Sequence, residues 1–86
     1  MSQQPPKNLR LLAEAAFKQG NFAEAEKLFR QVITYLELAI GDNGIEVAIT
    51  LECLSRTLEL QGKVLEAEAA KDRAAQILCT RRKPSP

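Results

Sequence analysis

Gln19-Gly20-Asn21-Phe22-Ala23-Glu24-Ala25-Glu26 returns forty-two residues later as Gln61-Gly62-Lys63-Val64-Leu65-Glu66-Ala67-Glu68. An echo at a fixed period marks a repeat array, in which one supersecondary unit stacks on a copy of itself to bury a face it cannot bury alone. Laying residues 9–36 over 51–78 aligns 28 pairs, and eight are identical: Leu9/Leu51, Leu12/Leu54, Gln19/Gln61, Gly20/Gly62, Glu24/Glu66, Ala25/Ala67, Glu26/Glu68 and Leu36/Leu78. Ala13/Ser55, Phe22/Val64 and Tyr35/Ile77 keep size or polarity. The apolar matches fall at 9, 12, 16 and again at 25, 28, 32, the spacing of a helix face, so each unit holds two helices. Gly20 and Gly62 stand between them, where a helix ends in a residue of positive φ that glycine supplies at little cost. Ala13, Ser55, Ala25 and Ala67 are small enough to let neighbouring backbones approach closely.

The same reasoning sets the boundaries. Residues 1–5 form a polar, proline-containing arm, and Pro6 suits a first helical turn, where its missing N–H costs nothing. Helix 1 is expected at 6–19. Asn21 reads as the N-cap of helix 2, with Glu24 completing a capping-box pair. Helix 2 runs 22–40, with an apolar stripe of Phe22, Ala25, Leu28, Phe29, Val32, Ile33, Leu36 and Ile40. Gly41-Asp42-Asn43-Gly44 breaks it. Helix 3 spans 45–61 on Val47, Ala48, Leu51, Leu54 and Leu58, and helix 4 spans 64–80. Short loops make consecutive helices antiparallel neighbours. The domain is then 6–80, with repeat 1 at 6–41 and repeat 2 at 45–80, followed by a basic, proline-containing tail at 81–86. Arg81, Arg82 and Lys83 there complement a helix C-terminus.

Leu9-x-x-Leu12-Ala13-x-x-Ala16, Gln19-Gly20-Asn21-Phe22-x-Glu24-Ala25 and Val32 in the first unit resemble the tetratricopeptide repeat (TPR) pattern. So do Leu51-x-x-Leu54-Ser55-x-x-Leu58, Gln61-Gly62-Lys63-Val64-x-Glu66-Ala67 and Ala74 in the second. The forty-two-residue period is similar to the longer repeat of kinesin light chains and related bacterial proteins. The resemblance covers about residues 7–80. It implies an all-α fold of two tandem helical hairpins, four antiparallel helices in a short right-handed α-solenoid. The sequence departs from the pattern in places. The aromatic of the last turn before each glycine is Ala16 or Leu58, Lys71 stands where the first unit has Phe29, and the loop His-Pro of the long repeat reads Asn43-Gly44.

Composition excludes several functions. The chain has no histidine, which removes the commonest general base and metal ligand. Two cysteines without histidine assemble neither a four-ligand zinc site nor a nucleophile with its base. No glycine-rich phosphate loop is present. Glu24/Glu26 and Glu66/Glu68, two residues apart, sit about 200° apart around a helix and do not converge. The chain therefore reads as no enzyme, with no cofactor and no metal. Twelve basic and eleven acidic residues give a net charge of +1, too balanced to steer nucleic acid or an anionic membrane. With one Tyr and three Phe for base stacking, nucleic acid is disfavoured as a partner. No apolar run approaches a membrane span, and Met1–Pro6 lacks the pattern of a signal peptide, so the protein reads as cytoplasmic. Cys53 lies nine residues before Gly62 and Cys79 seventeen after it. In an antiparallel hairpin that is an axial offset of about 12 Å, against the ~7 Å that a disulfide spans.

What remains is partner binding. The resemblance implies that the first helix of each unit lines a concave groove, which makes Lys7, Arg10, Glu14, Phe17 and Lys18 candidates in unit 1 and Ile49, Glu52, Cys53, Arg56 and Glu59 in unit 2. Phe17 beside Arg10 and Lys18 has the composition of an interface hot spot. Capture of a chaperone's C-terminal carboxylate, another TPR mode, is disfavoured: Arg10 stands for the clamp lysine, but Glu14 replaces the clamp asparagine, and Glu52 and Arg56 take the matching places in unit 2. The reading is a small TPR adaptor or scaffold for a protein or peptide partner, with self-association as the alternative function. Two repeats fall short of the three that stability usually needs, so a homodimer is expected. Leu11, Ala15, Val64, Leu65, Ile77 and Leu78 are its expected contacts.

Overall fold

A computed structural model describes residues 6–41 and 44–82. Four helices follow one another: α1 (Pro6–Lys18), α2 (Phe22–Ile40), α3 (Ile45–Leu60) and α4 (Val64–Arg82). α2 packs against both α1 and α3, and α4 packs against α3. These are two helical hairpins stacked side by side, the architecture of a short helical solenoid. The stack is thin, 16 Å in its shortest dimension, so every helix keeps one face in solvent. The expected arm at residues 1–5, the loop pair Asp42-Asn43 and the tail from Lys83 lie outside the described residues. α4 carries on through Arg81 and Arg82, two residues past its expected end.

The core is built by alternating large and very small side chains. Leu9, Ala13 and Ala16 of α1 meet Ala25, Phe29, Val32 and Leu36 of α2, while Ala67, Ala70, Ala74 and Ile77 of α4 close on Val47, Leu51 and Leu58 of α3. Ala13, Ala25, Ala48 and Ala67 are fully buried. A methyl group at such a position fills the space between two backbones without forcing them apart. α3 is enclosed on both sides, and its stripe therefore includes Thr50, Ser55 and Thr57. Their hydroxyls donate within the helix, to Glu46 O at 2.8 Å, Glu52 O at 2.8 Å and Cys53 O at 2.9 Å, which satisfies them without a partner from another element.

The two hairpin turns are the same device. Gly20 has φ +85° and Gly62 φ +82°. In the first, the Asn21 N–H donates to Ala16 O at 2.9 Å and the Gly20 N–H to Phe17 O at 3.0 Å. In the second, the Lys63 N–H donates to Leu58 O and the Gly62 N–H to Glu59 O, both at 2.9 Å. These are the paired bonds of a Schellman motif, with glycine in the left-handed position. The tight closure overturns the expected capping box. Asn21 already serves the end of α1, its backbone sits at φ −85°, ψ 74°, and its side chain makes no capping hydrogen bond. Its carbonyl alone enters α2, accepting from the Ala25 N–H at 2.9 Å. A methyl group on Gly20 or Gly62 would meet nothing within 4 Å, so Gly20→Ala and Gly62→Ala test backbone conformation alone. Each is expected to cost about 1 kcal/mol in urea unfolding, and the double variant the sum.

The repeats are tied by a polar ladder as well as by the core. The Glu26 carboxylate on α2 accepts from Gln61 Nε2 at 2.8 Å, Lys63 Nζ at 3.0 Å and Arg30 Nε at 3.0 Å. Arg30 Nη2 continues to Glu66 at 2.9 Å, and Arg73 of α4 pairs with Glu37 of α2. Partial burial acts to raise the Glu26 pKa, but the hydrogen bonds from Gln61, Lys63 and Arg30 together outweigh it and hold the carboxyl below the ordinary glutamate range.

One expected contact surface is corrected by this packing. Ile77 is the large side chain that completes the alanine row of α4 and is buried against α3, and Leu78 is half-buried against the same core. Neither presents a free apolar face. Leu11, Ala15, Val64 and Leu65 are exposed.

Candidate functional site

α1 and α3, the first helices of the two hairpins, run beside each other over α2 and leave a pocket of about 180 Å³ between them. Glu14, Phe17 and Lys18 form one wall, Cys53 and Arg56 the other, and Phe29 of α2 the floor. Phe17 is held in place by Phe22, the first residue of α2, edge to face at a centroid distance of 5.4 Å. Glu14 is paired with Arg10 at 3.6 Å on the rim. Lys18 and Arg56 make no ion pair among the described residues. Burial pushes the Cys53 thiol above its ordinary pKa. Arg10 and Arg56 act to lower it, and Glu14 and Glu52 to raise it. It is therefore a neutral, weakly polar wall element at pH 7, not an activated nucleophile. Cys79 is exposed, and both cysteines are free thiols.

Of the residues singled out in the sequence, Glu14, Phe17, Lys18, Cys53 and Arg56 are brought together here, with Arg10 at the edge. Ile49, Glu52 and Glu59 are exposed but do not line the pocket. Glu59 instead pairs with Lys71 of α4, which raises the pKa of that ammonium. The side chain of Lys7 lies outside the described residues. Phe29 was legible as core and not as floor, because nothing in a single helix stripe shows that a pocket opens above it. Its counterpart one period on is Lys71, and the counterpart of Phe17 is Glu59. The two aromatic positions that line the pocket in repeat 1, Phe17 and Phe29, hold an ion pair in repeat 2. Among the described residues, no group of three His, Cys, Asp or Glu side chains is placed to hold a metal ion.

The model of the tetratricopeptide repeat family matches residues 7–80. The chain belongs to the tetratricopeptide repeat family. TPR units mediate protein–protein interaction, and the pocket between α1 and α3 lies on the face formed by the first helix of each TPR unit. No curated protein and no solved structure matches the chain. No helix among the described residues is long and apolar enough to cross a membrane.

Proposed function

We propose that this TPR protein is a small non-catalytic adaptor that holds a segment of a protein partner in the groove between α1 and α3. The observation that carries the reading is the wall of Phe17 over the Phe29 floor, flanked by Lys18 and Arg56. An aromatic anchor with cations at its rim is the composition of an interface hot spot. The double variant Phe17→Ala/Arg56→Glu tests it. Both side chains are at the surface or half-buried, so the helical circular dichroism should be kept. A random-peptide display library selected on the wild-type protein is expected to yield binders whose affinity falls at least about tenfold, some 1.4 kcal/mol, on the variant. Binders that hold both proteins equally would remove the groove from the reading.

A second reading, self-association as the function, is supported by a separate patch. Leu60, Val64 and Leu65 surround the α3–α4 turn and are 54%, 57% and 85% exposed. The matching positions of repeat 1 are Lys18, Phe22 and Ala23, so the patch belongs to repeat 2 alone. If it joins two copies, Leu65→Glu turns a dimer into a monomer in light scattering. An unchanged mass would exclude this patch. We place the protein in the cytoplasm, a compartment that would keep its two unbridged cysteines reduced.

A further inference from the structure

The internal junction between the repeats shows what each end of the chain is built to meet. α3 offers repeat 1 the row Thr50–Leu54–Thr57–Gln61, spaced along one helix face. Thr50, Leu54 and Thr57 are 1%, 3% and 0% exposed, and Gln61 bonds Glu26 of α2. One period earlier the same row on α1 reads Asn8–Leu12–Ala15–Gln19. All four residues are exposed, Leu12 by 48%. Leu12 and Gln19 are identical to Leu54 and Gln61, and Glu24 repeats Glu66, the partner of Arg30 across the junction. The outer face of repeat 1 thus keeps the apolar contact, the amide donor and the carboxylate that repeat 2 uses to accept repeat 1.

The opposite face is kept only at Glu68, which repeats Glu26, the acceptor of Gln61. α2 meets repeat 2 with Phe29, Arg30 and Ile33, and α4 has Lys71, Asp72 and Ala75 at those positions. Lys71 is spent on Glu59. Stacked head to tail on another copy, Asp72 would meet Glu24 where the junction has Arg30 against Glu66, and like charges at that place repel. The chain's own C-terminal face is therefore the wrong occupant for its N-terminal face.

We infer that the outer face of α1 and the start of α2 is an acceptor for a helical hairpin outside this chain. That hairpin presents an apolar ridge to Leu12 and Ala15, an acidic residue to Gln19 and an arginine or lysine to Glu24. The α3–α4 end lacks the aromatic, the arginine and the isoleucine that such a donor face uses. This surface is separate from the groove, so the inference stands or falls independently of the adaptor reading.

The test rebuilds the missing partner on the protein itself. Lys71→Phe/Asp72→Arg/Ala75→Ile gives repeat 2 the donor face of repeat 1 at three exposed positions. In sedimentation velocity its mass is expected to climb with concentration without closing, as a head-to-tail contact requires, while the wild type shows no such climb. Adding Leu12→Glu or Glu24→Arg to the triple variant should weaken the association at least about tenfold. The double variant Lys71→Phe/Asp72→Arg, a smaller change, should show the same order of effects should the triple variant lose its helical signal. A donor-face variant that keeps the wild-type mass overturns the inference, as does association indifferent to Leu12→Glu. A wild-type dimer abolished by Leu12→Glu would also overturn it, since a second copy would then cover the face.

Discussion

Phe29→Ala is expected to destabilise the protein by about 3–5 kcal/mol, the cost of losing a buried aromatic side chain plus the cavity it leaves. Phe29 is 2% exposed and lies where α1, α2 and α3 come together. In a stack this thin, few side chains can replace it. A domain of this length holds about 4–13 kcal/mol in total, so the variant should be close to its unfolding midpoint without denaturant. Urea unfolding followed by circular dichroism reads the loss, with the slope checked for a change in compactness. Phe29→Leu keeps most of the volume and should lose clearly less. A loss below about 1 kcal/mol for the alanine variant would mean that the ring is not packed as described. Because Phe29 is also the floor of the groove, the two variants bear on function as well. A partner that inserts an apolar side chain should bind Phe29→Leu, which folds, less tightly than wild type.

The fold was legible because two independent signals in the chain agree. The forty-two-residue period located the hairpins, and the helical spacing within it located the faces. Gly20 and Gly62 marked turns that close with the same pair of Schellman bonds. Local chemistry misled where one residue served two elements. Asn21 has the composition of a cap, but a link of only three residues between the helices leaves its backbone bonded to α1. Ile77 read as surplus apolar area because the row it completes is otherwise alanine, whose small volume hides how much α3 needs from its partner. The groove was half legible for a geometric reason. A pocket between two first helices uses one flank of each, the flank of α1 with Phe17 and the facing flank of α3 with Cys53 and Arg56. Glu52 and Glu59 lie on the far flank of α3, where a third first helix would be needed to make a second pocket. The pairing of Glu59 with Lys71 occupies that flank instead.

Glu26→Ala is expected to cost about 1–3 kcal/mol near pH 7. It removes the acceptor of three hydrogen bonds, two of them from cations, whose partners are half-exposed and so screened by water and salt. The loss should depend on pH in a definite direction. The folded carboxyl titrates below the ordinary glutamate value of about 4.3, so its contribution is complete above that value and is lost as pH falls through the lower folded value. The stabilities of wild type and Glu26→Ala, measured by urea unfolding at a series of pH values, should differ fully at pH 6–7 and converge in acid. A difference that stays constant with pH would assign Glu26 a packing role only. Raising the salt to 1 M should narrow the gap near neutrality, because the donors Lys63 and Arg30 lie at the surface. Glu26 ties α2 to the α3–α4 turn, and neighbouring repeats are coupled only through their shared junction. Hydrogen exchange in Glu26→Ala should therefore rise first in α4 and the end of α3, with α1 and α2 following only on global unfolding.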